Sequence, residues 1–239
     1  MSSLDKLNVH LYADGADKAG MLELYKKPYI KGFTTNPSLM KAAGVTNYSE
    51  FGQEIAKAIP DRSISFEVFA DEFDEMKKQA MIIKEWGSNV AVKIPVMNTK
   101  KQYSYELLKD LTDQGVTMNV TAIFTTDQVK KVAEALKDAK GGIVSVFAGR
   151  VADTGVDPIP LMKESHDIIQ KINPKLELLW ASTRETFNIF EADRCGCEII
   201  TVPHGILSKL GNLGKDLEEY SLDTVKAFLR DSTSAGFSL

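Results

Sequence analysis

The sequence is poor in cysteine. Among its 239 residues only Cys195 and Cys197 carry a thiol, in "RCGCE". A zinc site needs further ligands at suitable spacing, and none lie nearby. The pair therefore reads as two reduced thiols at a helix-to-strand junction, and no metal is expected. No apolar run approaches the roughly 20 residues that span a bilayer, which argues against a membrane partner. Lys and Arg total 29 against 33 Asp and Glu, interleaved to a net charge of −4. Without a basic tract or a basic helix face, nucleic acid and anionic membrane are poor partners. The opening "MSSLDKLNVH" lacks the apolar stretch of a signal peptide, so the cytosol is the expected location. The turn "ADGADKAG" does not give the G-x-G-x-x-G spacing of a doubly wound nucleotide-binding sheet. No linker, low-complexity stretch or charge block divides the chain, so residues 1–239 are expected to form a single domain.

A regular alternation is present instead. Short β-branched runs recur eight times: "NVHLYADG", "IKGFTTNP", "SISFEVFA", "NVAVKIPV", "TMNVTAIF", "IVSVFAGR", "LELLWAST" and "EIITVPHG". Between them lie segments of helical period: 18–26, 37–43, 48–59, 71–86, 100–112, 127–139, 158–172, 184–194 and 206–210. A further amphipathic segment, 222–229, follows the eighth unit. Parallel strands need helical crossovers. Eight strand–helix units in about 240 residues match an α/β fold of the closed (β/α)8 TIM-barrel type, with an extra C-terminal helix and tail over 221–239.

Barrel strands alternate inward and outward. Read by period two, one face carries His10, Tyr12 and Asp14; Thr34 and Asn36; Ser65 and Glu67; Asn89, Ala91 and Lys93; Asn119 and Thr121; Ser145 and Phe147; Trp180 and Ser182. Polar groups fall on that face towards the C-terminal strand ends, where barrel enzymes keep their chemistry. Any one alone is ordinary turn or strand-end chemistry. An amine, carboxylates and amides converging on one cavity would be costly to bury without a use.

Lys93 is the sharpest of them, an amine inside the apolar strand "NVAVKIPV". A bland reading pairs it with Asp14 or Glu67. The functional reading is that a low-dielectric site disfavours ammonium, and a neutral amine attacks a carbonyl to give a Schiff base. The iminium is an electron sink for breaking a neighbouring carbon–carbon bond, and Glu67 could move protons directly or through a water. Arg150 and Arg184 follow the sixth and seventh strands at the same rim, where a guanidinium pair suits a phosphate. His204 reads as a helix-entry residue, His166 as a surface residue, and "AGRVADTGVDPIP" as a long loop over the rim.

Taken together, "GFTTNPSLM", "VKIPV", "NVTAIF", "VFAGR" and "ASTRE" resemble transaldolase in order and spacing. The resemblance implies a (β/α)8 barrel with its Schiff-base lysine on the fourth strand, at Lys93. It places the other active-site positions at Asp14, Asn36, Glu67, Asn119, Thr121, Ser145, Phe147, Ser182, Arg150 and Arg184, and it implies neither metal nor organic cofactor. Lys93, Asp14, Glu67 and Thr121 are then the catalytic set. Thr34, Asn36, Asn119, Ser145, Phe147, Arg150, Ser182 and Arg184 hold the substrate, a sugar phosphate of the pentose phosphate pathway. The short chain is similar to the smaller branch of the family, which includes fructose-6-phosphate aldolases. Those typically have glutamine at the third-strand position and tyrosine at the sixth. Glu67 and Phe147 stand here, so transfer is expected over aldol cleavage. A barrel that binds sugar phosphates without turning them over is a further alternative. The branch forms rings, typically decamers, which implies a homo-oligomer with 222–229 and the tail to Leu239 packed on a neighbour. Gly15, where a small hydroxyl residue is common, and the "VPHG" end depart from the family pattern.

Overall fold

The computed structural model describes residues 3–236. After a 3-10 turn at Ser3–Lys6 come β1 (His10–Asp14), α1 (Lys18–Tyr25), β2 (Ile30–Thr34), α2 (Pro37–Ala42), α3 (Tyr48–Ala58), β3 (Ser63–Glu67), α4 (Phe73–Lys84) and β4 (Val90–Pro95). They are followed by α5 (Tyr105–Asp113), β5 (Met118–Ile123), α6 (Thr126–Ala135), β6 (Gly142–Val146), α7 (Ala148–Ala152), α8 (Pro158–Ile172) and β7 (Leu176–Trp180). The chain ends with α9 (Asn188–Arg194), β8 (Ile199–Pro203), α10 (His204–Leu207), a 3-10 turn at Ser208–Asn212 and α11 (Leu217–Ala235). The strands pair in parallel in sequence order, and β8 closes onto β1. The architecture is a (β/α)8 TIM barrel. All eight expected strands form.

Local chemistry sets the helix starts. Asn36 caps α2 through Leu39 N–H, with Pro37 in the first turn. Thr125 and Gln128 make a capping box on α6, satisfying two amides that the helix leaves open. Three starts, those of α4, α5 and α9, lie later than periodicity implied, the last two by several residues. The chain before α5 folds back on itself, with a bridge between Met97 and Tyr103, and Asn98 accepts from the amides of Lys100 and Gln102. The segment before α9 is a turn tied by Asn188, which accepts from the Arg184 and Glu185 amides. The expected loop after β6 is instead the short helix α7, leaving only 153–157 irregular. At the other end, α11 starts earlier than expected because Asp216 caps it. Residues 237–239 of the expected tail lie outside the described residues.

Two apolar layers follow from strand alternation. Leu11, Phe33, Phe66, Ile94, Val120 and Val146 point outward and pack under the helices. Inside, Tyr12, Ile143, Leu179, Ala181 and Ile199 form a smaller cluster with Phe147 against it. Trp180 belongs to the outer layer, not the inner face that period two assigned it. On β7 the inner residues are Leu179 and Ala181. Ser182 reaches the rim because its backbone turns left-handed, φ 64, which breaks the alternation. Asn89 also departs from the expected cavity: its amide donates to the carbonyls of Ala56, Ile59 and Arg62, tying α3 and the approach to β3. No helix among the described residues is long and apolar enough to cross a membrane.

Candidate active site

A cavity of about 200 Å³ opens at the C-terminal ends of the strands. Its lining includes Asp14, Thr34, Asn36, Lys93, Thr121, Ser145, Phe147, Arg150, Ser182 and Arg184. Ten of the expected site residues are thus brought together. The other two, Glu67 and Asn119, stand behind that lining, each in contact with one of its members.

The parallel register places Glu67 beside Lys93 and Lys93 beside Asn119. Lys93 is only 8% exposed. Its Nζ lies 3.5 Å from Glu67 Oε2 and donates to the Thr35 carbonyl at 3.2 Å. The Glu67 carbonyl accepts from the Tyr48 hydroxyl at 2.6 Å, which fixes the strand end that presents the carboxylate. Across the cavity the Thr34 hydroxyl donates to Asp14 Oδ1 at 2.7 Å and shares a hydrogen bond with Thr201. Burial pushes both carboxyls upward, and the Lys93 charge opposes the rise in each. Thr34 further steadies ionised Asp14, and the Asp14 charge pushes Glu67 higher. Two carboxyls lifted towards neutrality beside one amine suit proton transfer.

A belt of amide and hydroxyl groups lies below. The Asn119 side chain donates to Ser65 Oγ at 2.9 Å and accepts from Ser145 at 2.6 Å. It links β5 to β3 and β6, spanning β4, on which Ser65 is in register with Ala91 and Asn119 with Lys93. Thr121 differs from its neighbours, because its buried hydroxyl has no hydrogen-bond partner among the described residues. The strand bulges just beyond it: Ala122 has φ 60, and the β5–β6 register shifts. Strain of this kind concentrates at functional sites, and here it ends the ladder where the hydroxyl enters the cavity.

The rim carries the positive charge. Arg150 is exposed, with its guanidinium 5.1 Å from the centre of the Phe147 ring, and Arg184 pairs with Asp153. Gly149 permits this corner. A Cβ there would lie 1.6 Å from the Ser182 carbonyl oxygen, so α7 approaches the end of β7 only with glycine at that position.

Sequence reading missed Thr201, Pro203, Leu179, Ala181 and Thr183 in the lining, as well as the Thr35 carbonyl. Period two over β8 would have found Thr201 and Pro203. No pattern signals the β7 residues, since the left-handed Ser182 changes their phase. His204 begins α10, as a helix-entry residue should. His166 is half-buried, 3.7 Å from Glu198, and packs over Gly196; it is not a surface residue. Cys195 and Cys197 are free, buried thiols, and burial raises both away from the reactive thiolate.

The family described as "Transaldolase/Fructose-6-phosphate aldolase" matches residues 11–239. A "Probable transaldolase" of Methanococcus maripaludis is 34% identical over 203 residues, covering 84% of this chain and 89% of that protein. One from Dehalococcoides mccartyi is 30% identical over 204 residues, covering 84% and 90%. Among solved structures, a monomeric dihydrodipicolinate synthase variant superposes with a TM-score of 0.60 at 9% identity, covering 95% of this chain and 80% of that one. "QR15, an Aldolase" gives 0.54 at 11%, covering 81% and 89%. At those identities the structural likeness concerns the fold alone.

Proposed function

The chain belongs to the transaldolase/fructose-6-phosphate aldolase family, and from that premise we propose that it is a Schiff-base transaldolase. In this reading it moves a dihydroxyacetone unit from a ketose phosphate, such as sedoheptulose 7-phosphate or fructose 6-phosphate, to glyceraldehyde 3-phosphate or erythrose 4-phosphate. The observation that carries the reading is a buried amine set between two half-buried carboxyls, below a rim with two guanidiniums.

Lys93 Nζ adds to the ketone carbon. Glu67, 3.5 Å away, takes and returns protons, through a water held by the unpartnered Thr121 hydroxyl, until the carbinolamine loses water to give the iminium. Asp14 removes the proton from the hydroxyl beside the breaking bond. That bond's electrons move into the iminium, leaving an enamine on Lys93 and a free aldose phosphate. A second aldose phosphate is attacked by the enamine carbon, Asp14 returns its proton, and hydrolysis frees Lys93. Asn36 holds a hydroxyl of the bound unit, and Asn119, expected to do the same, supports it from behind the lining through Ser145. Ser145, expected to hold the phosphate with Arg150 and Arg184, instead donates to Asn119 and serves the three-carbon unit, which leaves the phosphate to the two arginines, with Ser182 in the same lining. No cofactor enters this scheme.

Borohydride added with fructose 6-phosphate should leave a reduced three-carbon adduct on Lys93, found by peptide mass analysis. An adduct on another lysine, or none on an enzyme that turns over, sinks the mechanism. The assembly reading is likewise a proposal. The C-terminal helix α11 has no buried residue, and Leu217, Val225, Phe228 and Leu229 are each more than half exposed. Such a face is suited to packing on another copy of the chain.

A further inference from the structure

One residue beside the cavity takes no part in that scheme. His204 follows β8 directly, and its imidazole lies over the turn between β1 and α1. A Cβ on Gly15 would sit 2.8 Å from His204 Nε2. A Cβ on Gly20 would sit 3.0 Å from His204 Cε1 and 2.8 Å from Asp17 Oδ2. Neither glycine has a left-handed φ, so what they supply is room for the ring and not backbone freedom. Nε2 is buried, with no hydrogen-bond partner among the described residues. The residue before Gly15 is Asp14.

We propose that His204 is a positioning residue for Asp14: packed on Gly15, it fixes the turn that aims the carboxylate into the cavity and places an imidazole behind it. The proposal rests on Asp14 acting as the base in the reaction above. The surroundings isolate the pair. Asp14 on β1 and Asp17 at the start of α1 are the nearby carboxylates; β8 brings no charged residue. Lys209 on the following 3-10 turn is exposed, and Lys18 pairs with Glu54. Asp14 therefore lies between two groups able to carry positive charge, Lys93 and His204, and both oppose the upward push of burial on its carboxyl. Of the other ionisable groups around the cavity, Glu67 and Asp14 repel each other directly and share Lys93, and Arg150 and Arg184 stand at the rim.

The test uses His204→Ala, Gly15→Ala and the double variant in the full-length chain. His204→Ala should lower kcat about tenfold or more, as small displacements of a catalytic group do. KM should change by less than about twofold, because the arginine rim is untouched. The acid limb of kcat/KM should move to higher pH, since Asp14 must be ionised to act. Gly15→Ala should also lower kcat, because its Cβ displaces the ring. The double variant should lose no more than His204→Ala alone, because the same space is being contested. Losses that add, or an acid limb that stays in place, overturn the proposal. A second measurement needs no turnover. The Asp14 carboxyl, followed by its 13C shift in aspartate-labelled protein, should titrate at higher pH in His204→Ala than in the parent, and an unchanged midpoint overturns the coupling. If the parent forms no Schiff base, the proposed reaction fails, while this titration still decides the His204–Asp14 relation.

Discussion

Replacing Lys93 by methionine keeps the bulk of the side chain and removes its charge. Glu67, with its side chain 20% exposed, then lacks the group that opposes its burial. A buried carboxylate can escape by taking up a proton, and the cost of that escape sets the ceiling. From the ordinary value of 4.5 to pH 7, holding the proton costs about 1.4 kcal/mol per pH unit, or roughly 3.5 kcal/mol in all. The sign follows from linkage: a carboxyl whose folded pKa is raised costs no stability below its unfolded value. It costs progressively more as pH rises towards the folded one. Lys93→Met should therefore match the parent near pH 4.5 and fall behind it by about 2 to 3 kcal/mol by pH 7, within that ceiling. Urea unfolding at half-unit intervals between pH 4.5 and 7.5 reads this directly. Adding Glu67→Gln should flatten part of the slope, and adding Asp14→Asn should flatten the rest, because Lys93 also opposes the burial of Asp14. A stability difference independent of pH would show that the amine and the carboxyls are not coupled, and would remove the electrostatic basis of the proposed site.

Phe147→Tyr places a hydroxyl beside the bound three-carbon unit, where it can orient a water to protonate the enamine. Release of free dihydroxyacetone without acceptor should rise about tenfold relative to transfer, near 1.4 kcal/mol in relative barriers; equal rates with and without acceptor in the parent would instead favour aldol cleavage as the native activity. Gly149→Ala drives a methyl into the Ser182 carbonyl and should cost about 2 kcal/mol or more, visible as a Tm lower by about 5 °C. Sedimentation at micromolar concentration should show assembly that Val225→Asp with Phe228→Asp abolishes, and a parent that runs as a single chain refutes the assembly reading.

The barrel was legible because β-branched runs and helical periods alternate without interruption, and burial of outward residues such as Phe66 and Ile94 obeys the same rule. The cavity was legible wherever a strand keeps period two to its end, as β4 does through Lys93 and β6 through Ser145. It was not legible where the backbone leaves that rule. Ser182 turns left-handed, so Trp180 fell on the wrong face. Asn89 sits before its strand begins and ties backbone carbonyls. The space filled by His204 depends on Gly15 and Gly20, absences of side chain that no periodicity records. Helix starts shifted where an asparagine, at 98 or 188, gathered amides into a turn.

The belt from Ser65 through Asn119 to Ser145 spans β4 between the levels of Ala91 and Lys93. The lysine stem rises above that belt, with its amine held by Glu67 and the Thr35 carbonyl. A free lysine side chain gives up about 2 kcal/mol of rotamer entropy when it is held in one place. In this barrel that ordering occurs once, when the chain folds, and need not be repeated for each substrate that arrives.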